Sequence, residues 1–127
     1  MRKQISSGSF FEEKAAYSRA IVDGNWAFIS GITGYDYNKM TISQDILEQT
    51  EQCFINIINV LDQACFALED IVRVTYILPN RNEFEQCWPI LRKYFGEIRP
   101  AATMFSAKLV NDDIKIEIEV TALKRDR

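Results

Sequence analysis

The stretch Ile114-Lys115-Ile116-Glu117-Ile118-Glu119-Val120-Thr121-Ala122-Leu123 alternates apolar and polar residues. Strand side chains repeat every two residues, so Ile114, Ile116, Ile118 and Val120 share one face. Lys115, Glu117, Glu119 and Thr121 share the other. The segment predicts a sheet with one face in a core and one face polar. Something must cover the apolar face, and two helical patterns are available. Over residues 45–67, apolar side chains fall at Ile46, Leu47, Cys53, Phe54, Ile57, Ile58, Leu61, Ala64 and Cys65. That spacing is close to 3.6 and leaves Glu48, Glu51, Gln52, Asn59 and Asp62 opposite. Ser43 suits the N-cap and Asp45 the first turn. Residues 81–95 give a second amphipathic helix, with Phe84, Trp88, Leu91 and Phe95 on one side. Asn82 with Glu85 reads as a capping box, and Pro89 predicts a kink or a split.

Working outward, Ser18–Asp23 and Trp26–Ser30 read as a hairpin turned by Asp23-Gly24-Asn25. Gly31 and Gly34 break the second of these strands, and Tyr35–Met40 reads as loop. Ile71–Leu78 and Ala101–Ser106 complete the strands. Residues 7–16 lack a period and read as a loop pinned by Phe10 and Phe11. The order is ββαβαββ, and both helices fit one face of a single mixed sheet. This predicts a two-layer α+β domain. Its other face carries Glu117, Glu119 and, in register, Tyr17 and Arg19. Such a face meets solvent or another subunit.

The chain has 127 residues, a formal charge of −3 and no histidine. That length predicts a single domain over 1–127. The missing histidine removes His-dependent nucleophilic catalysis and His-ligated zinc. The acidic balance lacks the basic footprint of a nucleic-acid binder, so nucleic acid is not the expected partner. Cys53, Cys65 and Cys87 are odd in number, form no Cys-x-x-Cys pair and read as small buried hydrophobes. No apolar run follows the positive Met1-Arg2-Lys3-Gln4 start, and none is long enough to span a membrane. The expected location is cytoplasmic.

Several residues could carry chemistry. Glu117 and Glu119 lie at i and i+2 on one strand face, where one could act as a general base with its pKa raised by the other. Ser30-Gly31 sits at a strand break where a backbone amide could approach a ligand. Tyr17 could place a phenol in a pocket. Arg19 and Arg99 are candidate carboxylate clamps, because a guanidinium matches a carboxylate bidentately. Trp88 fits the helix core face. No phosphate loop, metal cluster or nucleophile motif appears, so no metal and no cofactor are expected.

Taken together, Trp26-Ala27-Phe28-Ile29-Ser30-Gly31, Leu68-Glu69-Asp70-Ile71-Val72-Arg73-Val74, Arg99-Pro100-Ala101-Ala102 and Lys115-Ile116-Glu117-Ile118-Glu119 resemble the RidA/YjgF family. The resemblance runs from about Tyr17 onward. It implies a chorismate-mutase-like fold assembled as a homotrimer with clefts between subunits. It implies cofactor-free hydrolysis of reactive 2-imino acids to 2-keto acids and ammonia. By the same resemblance Tyr17, Ser30 and Gly31 match the pocket, and Glu117 matches the acid that positions the attacking water. Other positions depart from the pattern. The Arg that grips the substrate carboxylate is replaced by Ala102. Thr103 stands for a Ser, Met104 for a Cys and Trp88 for an Asn, which greases the pocket wall. Ala15-Ala16 replaces a Gly-Pro. The expectation is a small-molecule pocket of altered specificity in which Arg19 is the best substitute cation. A non-catalytic metabolite sensor is the alternative, and RNA cleavage or inhibition of translation a weaker one.

Overall fold

The computed structural model describes residues 2–125. Its strands are β1 (Arg2–Ile5), β2 (Ala20–Asp23), β3 (Trp26–Thr33), β4 (Tyr35–Asp36), β5 (Thr41–Ile42), β6 (Ile71–Leu78), β7 (Ala101–Ser106) and β8 (Glu117–Leu123). The helices are α1 (Phe10–Ala15), α2 (Ile46–Gln63) and α3 (Phe84–Phe95). Six strands form one sheet in the order β1-β2-β3-β8-β6-β7. Only β6 and β7 run parallel, joined through α3; the other neighbours are antiparallel. This is the mixed sheet of a two-layer α+β domain.

The alternation over 114–123 sets the layers. Ile114, Ile116, Ile118 and Val120 are all at most 2% exposed. Ile116, Ile118 and Val120 meet the apolar stripes of α2 (Cys53, Phe54, Ile57, Leu61) and α3 (Cys87, Phe95) in one core, while Ile114 is buried beside a cleft that Glu117 lines. The ladder pairing begins only at Glu117, so Ile114 and Ile116 are buried on a segment that is not a strand. A fully buried amide explains how that segment is held. The Gln49 side chain donates to the carbonyls of Ser43 and Asp113 and accepts from the Lys115 N–H, at 2.7–2.8 Å. Both amide hydrogens and the amide oxygen are thereby engaged between α2 and the approach to β8, as a buried amide requires.

β3 carries an irregularity that matters for the site. Ile29 pairs with Val120, and Ile32 pairs with Ile118, so three steps on β3 match two on β8. The extra residue is a β-bulge at Ser30-Gly31. It lets both Ile29 and Ile32 face the core. Gly31 therefore bulges the strand without ending it. Gly34 does follow the strand end, where a Cβ would lie 2.7 Å from the Gln49 carbonyl oxygen.

Local features differ from the sequence expectation in identifiable ways. A strand, β1, precedes the expected set and pairs with β2. Residues 10–15 form a short helix, capped by Ser9 accepting from the Phe11 N–H. Phe10 and Phe11 are 67% and 49% exposed and pin nothing. Glu12 is the buried residue there. Within the expected 35–40 loop, Tyr35–Asp36 pairs with Thr41–Ile42. Asp45, not Ser43, caps α2 by accepting from the Glu48 N–H. Asn80, not Asn82, caps the turn before α3, and Pro89 sits inside an unsplit helix. Cys65 is exposed at a positive φ of 62°, just past the end of α2, whereas Cys53 and Cys87 are buried. The open sheet face is more aromatic than expected. Trp26 and Phe28 stack there with centroids 5.9 Å apart, both more than 40% exposed.

Candidate functional site

The bulge and β8 together build a cleft of about 470 Å³. Tyr17, Arg19, Ser30, Gly31, Glu117 and Glu119 all line it. The contact between Gly31 and Glu117 is the tightest. A Cβ at Gly31 would collide with the Glu117 carboxylate and lie 2.8 Å from its Cδ. The φ of Gly31 is not positive. The position needs glycine for the missing side chain, because the carboxylate lies against its backbone. Ser30, within the bulge, ties it to the segment leading into β2. Its Oγ donates to the Ser18 carbonyl at 2.7 Å, and its N–H to the Arg19 carbonyl at 2.9 Å.

Burial pushes the Glu117 carboxyl above its usual pKa, and Glu119 pushes it the same way, while Arg19 opposes them. Among the described residues no hydrogen bond or ion pair engages this carboxylate. It is half-buried, held close to a backbone and free to accept a proton. Burial and the nearby Glu117 charge also raise the Cys53 thiol, which is inert as a nucleophile in that state.

Arg19 lies in a different state from the expected clamp. It is 4% exposed, its Nε stands 3.5 Å from Glu12 Oε2, and its Nη1 donates to the Gly31 carbonyl at 3.0 Å. Its guanidinium is spent inside the protein. Glu12 is equally closed off at 5% exposed. Burial alone would raise the Glu12 carboxyl. Hydrogen bonds from the Ser7 hydroxyl and amide and from the Ser6 hydroxyl, with the Arg19 charge, leave its pKa below the ordinary value.

The remaining expected residues do not join this cleft. Trp88, Arg99 and Ala102 line a second cleft of about 300 Å³, with Arg92, Val74 and Tyr76. Trp88 is 43% exposed and meets Phe84 edge-on, so it is a wall of that cleft and not core. Met104 pairs in register with Tyr76 and shares the Ala102 side of β7. Thr103 points to the opposite face, where its hydroxyl accepts from Arg73 Nη1 at 3.2 Å. Arg99 holds a positive φ of 50°, and its Nε donates to the Gly96 carbonyl at 3.0 Å. Neither Arg92 nor Arg99 makes an ion pair among the described residues.

Sequence reasoning missed three contributors. Tyr35 and Tyr37 wall the first cleft, held by Asn111 Nδ2 donating to the Tyr35 hydroxyl (3.1 Å) and by the Thr33–Tyr37 hydroxyl contact (3.2 Å). Glu12 is the third. No local pattern marks it, since its burial depends on Arg19 seven residues on. No group of three side chains able to hold a metal occurs among the described residues. No described helix is long and apolar enough to cross a membrane.

Known proteins resemble this chain throughout. The family model described as Endoribonuclease L-PSP matches residues 9–124. A RutC family protein from Pyrococcus horikoshii is 37% identical over 109 residues, which cover 85% of this chain and 86% of the relative. A crystal structure from Mycobacterium tuberculosis, described as a member of the YjgF/YER057c/UK114 family, superposes with a TM-score of 0.89 at 30% identity, covering 98% of this chain and 100% of the other. A Rid family protein from Yersinia pestis superposes at 0.87 with 28% identity and the same coverage. With the model spanning nearly the whole chain and the fold shared end to end, this protein belongs to the Endoribonuclease L-PSP family, the YjgF/RidA family.

Proposed function

We propose that the Glu117 cleft binds a small imine-type metabolite and hydrolyses it without a cofactor, with a specificity altered from 2-imino acids. The observation that carries this is the Glu117 carboxylate lying on the Gly31 backbone with a raised pKa. A carboxylate so placed takes a proton from water as the water adds to a C=N carbon and returns it to the imine nitrogen; the C–N bond of the adduct then breaks as the hydroxyl proton passes to nitrogen, releasing ammonia and leaving a carbonyl. Family membership supports a small-molecule or imine-deaminase type of role in general.

The two clefts share no lining residue. A ring of copies would set the Glu117 side of one subunit against the Trp88–Ala102 side of the next, as a head-to-tail interface does. We read the homotrimer implied by the family resemblance in this way, with the aromatic open face turned inward. Altered specificity follows from charge. Ala102 puts no cation on β7, Arg19 is already paired with Glu12, and the two guanidiniums of the second cleft, Arg92 and Arg99, stand on α3 and in the turn after it rather than at the clamp position. The test is hydrolysis of freshly generated 2-aminoacrylate and 2-iminobutanoate by the purified protein beside its Ala102→Arg variant. No turnover before the change, with turnover gained after it, is the expected result. Clear turnover by the unmodified protein would overturn the altered specificity. Saturable metabolite binding with no turnover of any imine would favour the sensor instead. RNA cleavage stays the weaker reading on a chain of net charge −3.

A further inference from the structure

Glu12 and Arg19 stand out as a buried ion pair that the chemistry above does not consume. Both are at most 5% exposed. A pair taken out of water costs several kcal/mol per ion unless hydrogen bonds complete it. Here they do. The Glu12 carboxylate accepts from the Ser6 hydroxyl, the Ser7 amide and the Ser7 hydroxyl. The Arg19 guanidinium donates to the Gly31 carbonyl and lies 5.7 Å from the Tyr17 ring. The chain of contacts thus runs from the N-terminal segment through Arg19 to the one residue on which Glu117 rests.

We propose that Glu12 and Arg19 are positioning residues: Arg19 clamps the bulge through the Gly31 carbonyl so that the Glu117 carboxylate keeps its seat, and Glu12 fixes Arg19 for that task. The inference rests on Glu117 being the working carboxylate of the proposed function. α1 brings Ser9, Phe11 and Ala15 to the same cleft, so the pair also ties that wall to the bulge. The charged groups acting on Glu117 are Arg19, just before β2, and Glu119 from β8; from α2 the titratable neighbour is the Cys53 thiol, which stays uncharged.

The test reads Glu117 itself, by following its side-chain carboxyl carbon through a pH titration with 13C-labelled glutamate. Arg19→Gln removes the favourable charge and should raise the Glu117 pKa. Glu12→Gln leaves the Arg19 charge uncompensated and should lower it. Shifts of about half a unit or more in opposite directions are expected. Shifts in the same direction, or none, would overturn the proposal. Because charge alone gives those signs, Arg19→Lys, which keeps the charge without the fork that spans Glu12 and the Gly31 carbonyl, should also move the Glu117 pKa off the parental value, and a parental value there would overturn the clamp. Glu12→Gln/Arg19→Gln leaves no lone buried charge and guards against misfolding of the single variants. It should fall between them, and a value outside that interval would overturn the proposal. The titration needs no turnover. Opposite shifts in a protein that hydrolyses no imine would sustain the positioning pair and sink the reaction. Turnover with an unmoved titration would do the reverse.

Discussion

The two clefts of one chain are built on opposite terms. The Glu117 cleft is stitched. A bulge, two hydrogen bonds from Ser30 to backbone carbonyls and a closed Glu12–Arg19 pair hold it together, and the Glu117 and Glu119 carboxylates have no hydrogen-bond or ion-pair partner among the described residues. The Trp88–Ala102 cleft is open. Every residue of β7 is exposed, and two guanidiniums line the cleft with no acidic partner. The first cleft pairs its cation and leaves its carboxylates bare, while the second leaves its cations without an acidic partner among the described residues and is lined by no carboxylate. Under the proposed function, the contrast places reactivity and selectivity on different elements, so that they can change separately.

The largest expected effect bears on the first cleft. Glu117→Ala should lower any hydrolysis by roughly 10²-fold or more while leaving assembly intact, as read by turnover and sedimentation. Retained activity would remove Glu117 from the mechanism. Next, Gly31→Ala should displace the carboxylate and lose most activity with little change in stability, because the colliding atoms end a flexible side chain. Three residues on, Gly34→Ala meets backbone atoms of Gln49 at 2.7–2.8 Å and should cost about 1–3 kcal/mol in denaturant melts. Equal behaviour of the two glycine variants would break the distinction between seat and scaffold. The second cleft should respond mildly. Arg99→Ala should leave the Glu117 titration unmoved, and a shift there would show that the two clefts communicate.

The smallest effect is one of pH. The Glu117 pKa is raised in the folded protein, so the native state holds its proton longer than the unfolded chain does. Its contribution to stability is present below the ordinary carboxylate pKa and is lost as pH rises through the folded value. Glu117→Gln should therefore gain stability relative to the parent on going from acid to neutral pH. Glu12 has the opposite sign. Its lowered pKa contributes stability above the ordinary value that is lost as pH falls through the folded one. Stability curves of the two Gln variants that moved together would contradict this assignment.

The core was legible because it depends on period alone. Ile116, Ile118, Phe54 and Ile57 declare their faces within ten residues of sequence. Glu117 was legible by the same alternation, and Ser30-Gly31 by the glycine. What lay beyond reach was decided by partners distant in the chain. Arg19 looks like an available cation until Glu12 folds back onto it from a segment with no periodic signal. Phe10 and Phe11 look like anchors, but the anchor is the acid beside them. Gln49 falls on no apolar stripe, yet it is fully buried because its amide matches three backbone groups around it.

The extra residue of the bulge also fixes a length. Because Ile29 and Ile32 both face inward, an odd number of residues has been added to a ladder with a period of two. Removing Ser30 or Gly31 would make three steps into two, so Ile29 and Ile32 would stand two residues apart in a regular ladder and both would still face inward. The core would keep its register, and what would be lost is the outward kink on which the Glu117 carboxylate is seated. The extra residue therefore belongs to the cleft and not to the core, and the residue count of this strand is as much a part of the cleft as any side chain.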